Sequence, residues 1–223
     1  MTLLASLFPL IAWLAYAAIV PRAERWRPSL SALMNRQRRR WVANAVHRDN
    51  PVDAILSGNI MSAVAFFAST TVLLILAQFA LFGQLDALAG ALADFNFGEV
   101  RPSRANLELH LAATLALFIL AFLAFTLSLR QFNHFCIMLG ASAHDEKSTE
   151  AEILAIAELN SLGARNFNQG IRAYYFSIGS LAWLFWPPAS ILATLVIVAV
   201  LTYREFFSSA RALVAGLDVK SGN

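Results

Sequence analysis

The best candidates for a binding site in this sequence are the polar residues around Arg130, because of their spacing. Arg130 and His134 are four residues apart, so on a helix they share one face, and Asn133 lies beside them. Like Arg130, Asn59 and Arg172 stand near the point where a polar stretch meets a long apolar run. All five are therefore expected at a similar depth if those runs cross a membrane. Because guanidinium and amide groups donate hydrogen bonds to anions, the set is a candidate site for an anion or a lipid headgroup. The alternative is that it only locks helices together.

A second basic set, downstream of Ser29, has the character of a helix that lies on a membrane surface. Ser29 can cap a helix whose apolar residues fall mostly on one side, while arginines crowd part of the remainder. Such a helix can lie in the headgroup layer of anionic lipids, with its tryptophan at the interface. The predicted headgroup-binding residues are Arg36, Arg38, Arg39, Arg40 and Trp41. The alternative is that these arginines only fix the orientation of the chain. A nucleic-acid partner is not expected, because the segment lacks a recognised binding module.

Residue patterns of common catalytic and metal sites are missing from the sequence. It has no nucleophile elbow, no zinc-protease pair of histidines and no phosphate-binding glycine loop. The single cysteine, Cys136, excludes an intramolecular disulfide and a cysteine-rich metal site. His110 and His134 would lie about 36 Å apart on one helix, so haem ligation between helices is not expected. We therefore predict no catalytic residue, metal or cofactor, and we do not expect an enzyme.

The elements that position these residues follow from a strongly apolar composition. Of the 223 residues, 58% are hydrophobic and only 14% are charged, whereas soluble domains have about 25% charged residues. The charges collect in a few polar segments and leave long uncharged runs between them. One soluble core of this size would not bury so much apolar surface. The sequence therefore predicts an all-α protein that is embedded in a lipid bilayer.

Four uncharged runs are long enough to cross the hydrocarbon core, which takes about 20 helical residues. These runs are residues 2–20, 54–85, 109–129 and 173–203. The second and fourth runs exceed the core thickness, and Pro187 and Pro188 are expected to bend the fourth. The first run is too long for the apolar part of a signal peptide and follows no basic residue, so we expect a retained helix. The predicted fold is an integral membrane four-helix bundle that forms a single domain over residues 1–223.

Lysine and arginine residues are distributed unevenly between the connections, which predicts the orientation in the membrane. Residues 21–53 carry eight arginines and residues 130–172 carry four basic residues. The connection between the second and third runs carries two basic residues, and the C-terminal tail carries three. With four alternating spans, loops 21–53 and 130–172 are predicted to be cytoplasmic. Both termini would then lie on the non-cytoplasmic side of the inner (plasma) membrane.

The second cytoplasmic loop, like the first, is predicted to hold an amphipathic helix. Thr149 and Glu152 match a capping box, and apolar residues follow at helical spacing. Gly163 is the predicted end of this helix. We expect the helix to pack on the cytoplasmic ends of the membrane helices or on a partner subunit.

Several short stretches of the chain resemble one membrane family. They are residues 40–42, 59–61, 68–71, 128–134, 170–176 and 183–187. In these stretches the chain is similar to the family catalogued as domain of unknown function 599, and the resemblance extends over most of the sequence. It implies a four-helix membrane protein of the kind found in bacteria and plants, and it implies no particular activity.

Three classes of function fit these observations, and we disfavour the third, a membrane enzyme. The first is an oligomeric channel or transporter subunit for an ion or small anion, favoured by the polar set around Arg130. The uncharged runs contain no Asp or Glu, which disfavours coupling to protons or cations through a buried carboxylate. The second class is a scaffold, assembly factor or accessory subunit of a larger membrane complex. The expected partners are anionic lipid headgroups and either further copies of the chain or other membrane subunits.

Overall fold

The computed structural model describes residues 2–48, 51–95, 103–142 and 148–220, and this part of the chain is all-α with no strand. Helices occupy most of each segment that the sequence predicts to be helical, but several boundaries differ and the fourth predicted span is interrupted between Leu181 and Pro187. The helices are α1 (Thr2–Ala23), α2 (Leu30–Ala45), α3 (Val52–Phe82), α4 (Leu85–Phe95), α5 (Arg104–Ala141), α6 (Glu150–Leu181), α7 (Pro187–Phe206) and α8 (Ser209–Lys220).

The chain forms two compact units, each assembled from separate stretches of sequence. Unit one consists of Met1–Arg22, Ser69–Leu123 and Gln169–Thr202. Unit two consists of Ala23–Ala68, Ala124–Asn168 and Tyr203–Asn223. The long helices α3, α5 and α6 contribute residues to both units.

Four helical stretches are long and apolar enough to cross a membrane: Thr2–Ala23, Val52–Phe82, Arg104–Ala141 and Pro187–Leu217. Their surfaces agree with a lipid environment. In α3 only 17% of the most apolar window is buried, and large side chains such as Phe66 and Leu73 face outward. In water such a surface would be a strong aggregation site. The predicted all-α membrane fold is therefore confirmed.

The predicted fourth span is two helices rather than one bent helix. α6 ends at Leu181, a 3-10 turn occupies Ala182–Leu184, and α7 begins at Pro187. A methyl group added to Gly179 would lie 3.1 Å from Thr194 Oγ1, whereas fifteen residues of straight helix would separate the two positions by about 22 Å. The chain therefore reverses direction here, and the prediction of a single helix over 173–203 is wrong.

The Trp-Pro-Pro sequence explains the reversal. A proline disfavours the helical conformation in the residue before it, so α6 cannot pass through Trp186 as a regular helix. Pro187 lacks an N–H and has a fixed φ, which suits the first position of a new helix. Gly179 lets α7 fold back closely on α6, because a larger residue would collide with Thr194 and Ile197. The sequence predicts a bend at these prolines, and the packing converts it into a hairpin.

In unit one, α6 runs antiparallel to α5 and beside its uncharged run. The hydroxyls of Thr114 and Ser180 are 2.7 Å apart, and the rings of Phe118 and Tyr174 have centroids 6.4 Å apart. Residues 174–180 of α6 therefore lie beside residues 114–118 of α5, near the middle of the run 109–129. An apolar cluster that includes Leu85, Leu92 and Trp183 completes the core of this unit.

In unit two, α2 and α6 pack on the end of α5. Val42, Phe135 and Ile156 belong to the apolar cluster that joins these three helices, and α2 also contacts α8. The predicted caps are present: Ser29 Oγ accepts from Ala32 N at 3.0 Å, and Thr149 Oγ1 accepts from Glu152 N at 3.3 Å.

The predicted end of the second loop helix at Gly163 is wrong, because α6 continues to Leu181. Gly163 serves instead as a point of close approach to α5. Its carbonyl oxygen accepts a hydrogen bond from Ser128 Oγ at 2.7 Å, and an added methyl group would lie 3.0 Å from the Phe132 ring. Small residues allow helix backbones to approach in this way.

Candidate functional site

Arg172 is the predicted site residue that lies beside an uncharged membrane run. It belongs to α6 in unit one, two residues before Tyr174, whose ring contacts Phe118 in the run 109–129. The Arg172 guanidinium carbon lies 5.3 Å from the centroid of the Tyr16 ring. A cation over the face of an aromatic ring is attracted by its quadrupole. α6 therefore carries a positive charge alongside a helix segment that has no charged residue.

Hydroxyl groups accompany Arg172 along α6. Thr71 Oγ1 and the Tyr174 hydroxyl are 2.5 Å apart, and the Tyr174 carbonyl accepts from Ser177 Oγ at 2.9 Å. Thr194 Oγ1 is fully buried and has no hydrogen-bond partner among the described residues. Buried hydroxyls without a partner are uncommon and often mark a position for water or another small polar species. Unit one thus combines a cation with several hydroxyl groups inside an apolar helix bundle.

The other four members of the predicted anion set belong to unit two. Asn59 lies on α3, and Arg130, Asn133 and His134 lie on α5. All four side chains are exposed, whereas Arg172 is partly buried. The assembly of all five residues into one site stays a prediction.

The arginines predicted to bind headgroups lie on α2. Arg36, Arg39 and Arg40 are exposed. Arg38 is partly buried and donates to Asn35 Oδ1 at 3.1 Å, and this burial lowers the pKa of its guanidinium. Contact of these four residues with lipid phosphates stays a prediction.

Trp41, the fifth residue of that set, contacts side chains of unit two, and its position at the lipid interface stays a prediction. Its indole Nε1 donates to Asp53 Oδ1 at 2.6 Å, and its ring centroid lies 5.6 Å from that of Phe135. The N–H that would face the headgroup layer is thus used inside unit two. Sequence reasoning missed this pairing because Trp41 and Asp53 lie on different helices, and no periodic pattern connects them.

A second buried pair was also missed. The imidazole of His110 stacks on the Trp183 indole, with centroids 4.3 Å apart and planes inclined by 7°. Both residues are almost fully buried. The hairpin between α6 and α7 brings Trp183 to α5, so the pair depends on the chain reversal that the sequence did not reveal.

The fold and its apolar helices define an integral membrane protein built from long α-helices. A family model described as "Protein of unknown function, DUF599" matches residues 4–210, and the chain belongs to this family. The resemblance seen in the sequence is thereby confirmed. No curated protein matches the chain, and no solved structure matches it.

Proposed function

We propose that this protein is a subunit of a membrane pathway for small anions, with Arg172 as the cation at the depth of the hydrocarbon core. The observation that carries the proposal is the packing of α6 against α5, where Tyr174 contacts Phe118 next to Arg172. An ionisable residue at that depth is costly to bury, and such residues usually mark a path for an ion or substrate.

The chemistry of Arg172 favours anions over cations. A guanidinium stays protonated at any physiological pH, so it lowers the barrier for an anion and raises it for a cation. The buried hydroxyl of Thr194, which has no hydrogen-bond partner among the described residues, is a donor that can replace part of the hydration shell of an anion. The uncharged runs contain no carboxylate that would coordinate a cation.

We also propose a revised membrane topology. Besides the short α4, unit one contains residues of five longer helices, α1, α3, α5, α6 and α7. Five crossings by these helices would put the two termini on opposite sides of the membrane. With the C-terminal tail on the cytoplasmic side, fifteen of the seventeen Lys and Arg residues belong to cytoplasmic segments or to α6. This distribution satisfies the positive-inside rule better than the four-span arrangement with both termini outside. A C-terminal green fluorescent protein fusion is expected to fluoresce, and alkaline phosphatase activity at the same position would contradict the topology.

A homo-oligomer is part of the proposal because α3 exposes polar groups on an apolar surface. Asn59, Ser62 and Ser69 are exposed, although they lie on a helix that otherwise presents residues such as Leu73 to lipid. Asn and Ser side chains hydrogen-bond across helix interfaces in membranes, and each can pair with its own copy. Crosslinking through Ser62→Cys in a Cys136→Ser background tests this arrangement. The uncrosslinked monomer as the sole product would contradict it.

Flux through liposomes tests the central proposal. Purified protein is reconstituted with a chloride-sensitive dye, and the chloride influx rate is measured. We expect Arg172→Gln to lower the rate by about tenfold or more, because loss of a charge at this depth changes the barrier by a few kcal/mol. Arg172→Lys is expected to keep more of the flux than Arg172→Gln.

Arg165→Gln is the matched control for that experiment. Arg165 also lies on α6, but its guanidinium pairs with Glu158 at 2.5 Å and both side chains are about half exposed. We expect this variant to keep the wild-type chloride flux. Absence of flux from correctly folded wild-type protein, or equal flux from wild type and Arg172→Gln, would contradict an anion pathway.

A scaffold or accessory role is the second candidate, and α8 favours it. Arg211 Nε donates to the Pro28 carbonyl at 2.8 Å, which ties α8 to the segment before α2. α8 nevertheless leaves Leu213 exposed at 75% and Leu217 at 53%. Co-purification of a stoichiometric membrane partner that is lost in Leu213→Glu, together with liposomes that carry no flux, would favour this candidate over transport.

A further inference from the structure

Unit two contains a cavity between the end of α2, the beginning of α3 and the end of α5. Its volume is about 390 Å³, within the range of pockets that hold small organic ligands, which is about 300–1,000 Å³. We call it the Asp53 cavity. Its polar and sulfur-bearing lining residues are Arg48, Asp53, Ser57, Met61 and Cys136.

The carboxylate of Asp53 is buried, and only one of its two oxygens accepts a hydrogen bond from a described side chain. The residue is 5% exposed. One oxygen, Oδ1, accepts from Trp41 Nε1 at 2.6 Å and from an Arg48 NH2 group at 3.0 Å. The other oxygen, Oδ2, is buried and has no hydrogen-bond partner among the described residues. A buried carboxylate oxygen without a donor is costly, so this atom suits a donor that arrives with a ligand.

Arg48 supplies the opposite charge in the same cavity. Its side chain is 45% exposed and reaches Asp53 with one NH2 group. A guanidinium carries several N–H donors in a planar fork, so Arg48 can bind a phosphate while it stays paired with Asp53. A positive and a negative group, in contact within one cavity, fit a ligand that also carries both charges.

The remaining wall leaves room for a short chain between those charges. Gly58 and Gly140 line the cavity, and a methyl group added at either position would meet no atom within 4 Å. The cavity also lies beside the first turns of α3, where the uncharged run 54–85 begins. Such a position in the sequence corresponds to the headgroup level of a bilayer.

We propose that the Asp53 cavity binds a primary ammonium that a short chain links to a phosphate, which is the chemistry of an ethanolamine phospholipid headgroup. The ammonium donates to Asp53 Oδ2, and the phosphate accepts from Arg48. A choline headgroup has no N–H and cannot make the first bond, and a glycerol headgroup has no positive charge. Free phosphoethanolamine shares the recognised chemistry, so the experiment separates the lipid from the soluble molecule. The proposal does not depend on an anion pathway.

Cys136 provides a direct reporter, because it is the only cysteine of the chain and it lines the cavity. Delipidated protein in detergent is treated with N-ethylmaleimide, and the labelling rate is measured by mass spectrometry. The added probes are short-chain phosphatidylethanolamine, phosphatidylcholine and phosphatidylglycerol with identical acyl chains, and free phosphoethanolamine. Native mass spectrometry on the same samples counts the bound molecules, so binding is measured even where the thiol reacts slowly.

We expect phosphatidylethanolamine to slow the labelling of Cys136 by about tenfold or more relative to phosphatidylcholine, because a charged hydrogen bond distinguishes the two headgroups. If free phosphoethanolamine also slows the labelling of Cys136, the headgroup is sufficient for binding. If only the lipid slows it, the acyl chains are needed as well. If native mass spectrometry showed equal binding of the three lipids, or binding of none of them, the proposal would be overturned.

Two variants locate the binding. Asp53→Asn keeps an oxygen for Trp41 but removes the negative charge, and it is expected to abolish the preference for phosphatidylethanolamine. Gly58→Met fills the cavity without touching Asp53, so it is expected to lose the bound lipid even if Asp53→Asn folds poorly. Gly90→Met is the matched control, because Gly90 lies on α4 outside the cavity and an added methyl group there also meets no atom within 4 Å. Wild-type lipid preference in folded Gly58→Met would contradict this location.

Discussion

Both units contain ion pairs, but in unit one the guanidinium of Arg172 also lies over an aromatic ring. The ion pairs of unit one join Arg104 to Asp86 and to Glu108, and all three side chains are exposed. In unit two, Arg48 pairs with Asp53 and Arg165 pairs with Glu158. In unit one, the guanidinium of Arg172 lies over the ring of Tyr16, and its helix is held to the others mainly by hydroxyl contacts and aromatic packing. Carboxylates suit the water-accessible end of a membrane protein, whereas short hydroxyl hydrogen bonds suit the apolar part. Arg172 of unit one therefore lies beside an apolar run, whereas each ion pair named for the two units includes a well-exposed arginine.

The largest effect is expected from the core of unit one. Trp183 is 1% exposed and stacks on His110, so Trp183→Ala should lower the free energy of unfolding by about 3–5 kcal/mol, because it leaves a large cavity. Denaturation in mixed micelles measures the change. Trp186→Ala is the control, because Trp186 is 51% exposed at the same turn and should cost much less. Similar losses in both variants would show that the hairpin does not bury Trp183.

The ion pair in unit two should give the next largest effect. Asp53→Ala removes the acceptor of both Trp41 and Arg48 and should cost about 2 kcal/mol, which is less than for a fully buried pair because Arg48 is partly exposed. Glu158→Ala breaks the exposed pair with Arg165 and should cost about 0.5 kcal/mol or less. Chemical denaturation of the two variants side by side measures both costs. Equal losses of unfolding free energy in the two variants would contradict the expectation that the partly buried ion pair contributes more than the exposed one.

Two glycines allow a smaller test of helix packing, one in each unit. An added methyl group would lie 2.9 Å from Ile197 Cδ1 at Gly179 and 3.0 Å from the Phe132 ring at Gly163. Gly179→Ala and Gly163→Ala should each cost about 1–2 kcal/mol, because the neighbouring side chains must move. Gly140→Ala serves as the control, since its new methyl group meets no atom within 4 Å. Thermal unfolding in detergent should rank this control as the most stable of the three, and any other ranking would contradict the close approach.

The smallest effect expected within unit one concerns its hydroxyls. Thr71→Val removes the hydrogen bond to Tyr174 and should cost about 0.6 kcal/mol, the average for such bonds between membrane helices. Tyr174→Phe removes the same bond from the other side, so a double-mutant cycle isolates its energy. A coupling energy near zero would show that hydroxyl contacts do not hold α6 in unit one.

Part of this architecture was predictable from local sequence. The helices α1, α3 and α5 follow from uncharged runs, because lipid excludes charge over a length that a helix must span. The cap residues Ser29 and Thr149 were also predictable, since a cap depends only on the neighbouring backbone. Arg172 was predicted as a candidate by its position at the edge of a run, but its partner Tyr16 was not.

The sequence by itself determined that this protein is a membrane-embedded helical chain with a strongly basic segment before α3. These properties arise from composition and from periodicity within single helices. Only the tertiary structure decided that the Trp-Pro-Pro stretch is a hairpin, that Trp41 pairs with Asp53 and that Arg172 lies beside the apolar run of α5. Each of these depends on contacts between residues far apart in the chain, and packing between helices selects them because no local pattern records which helix faces which.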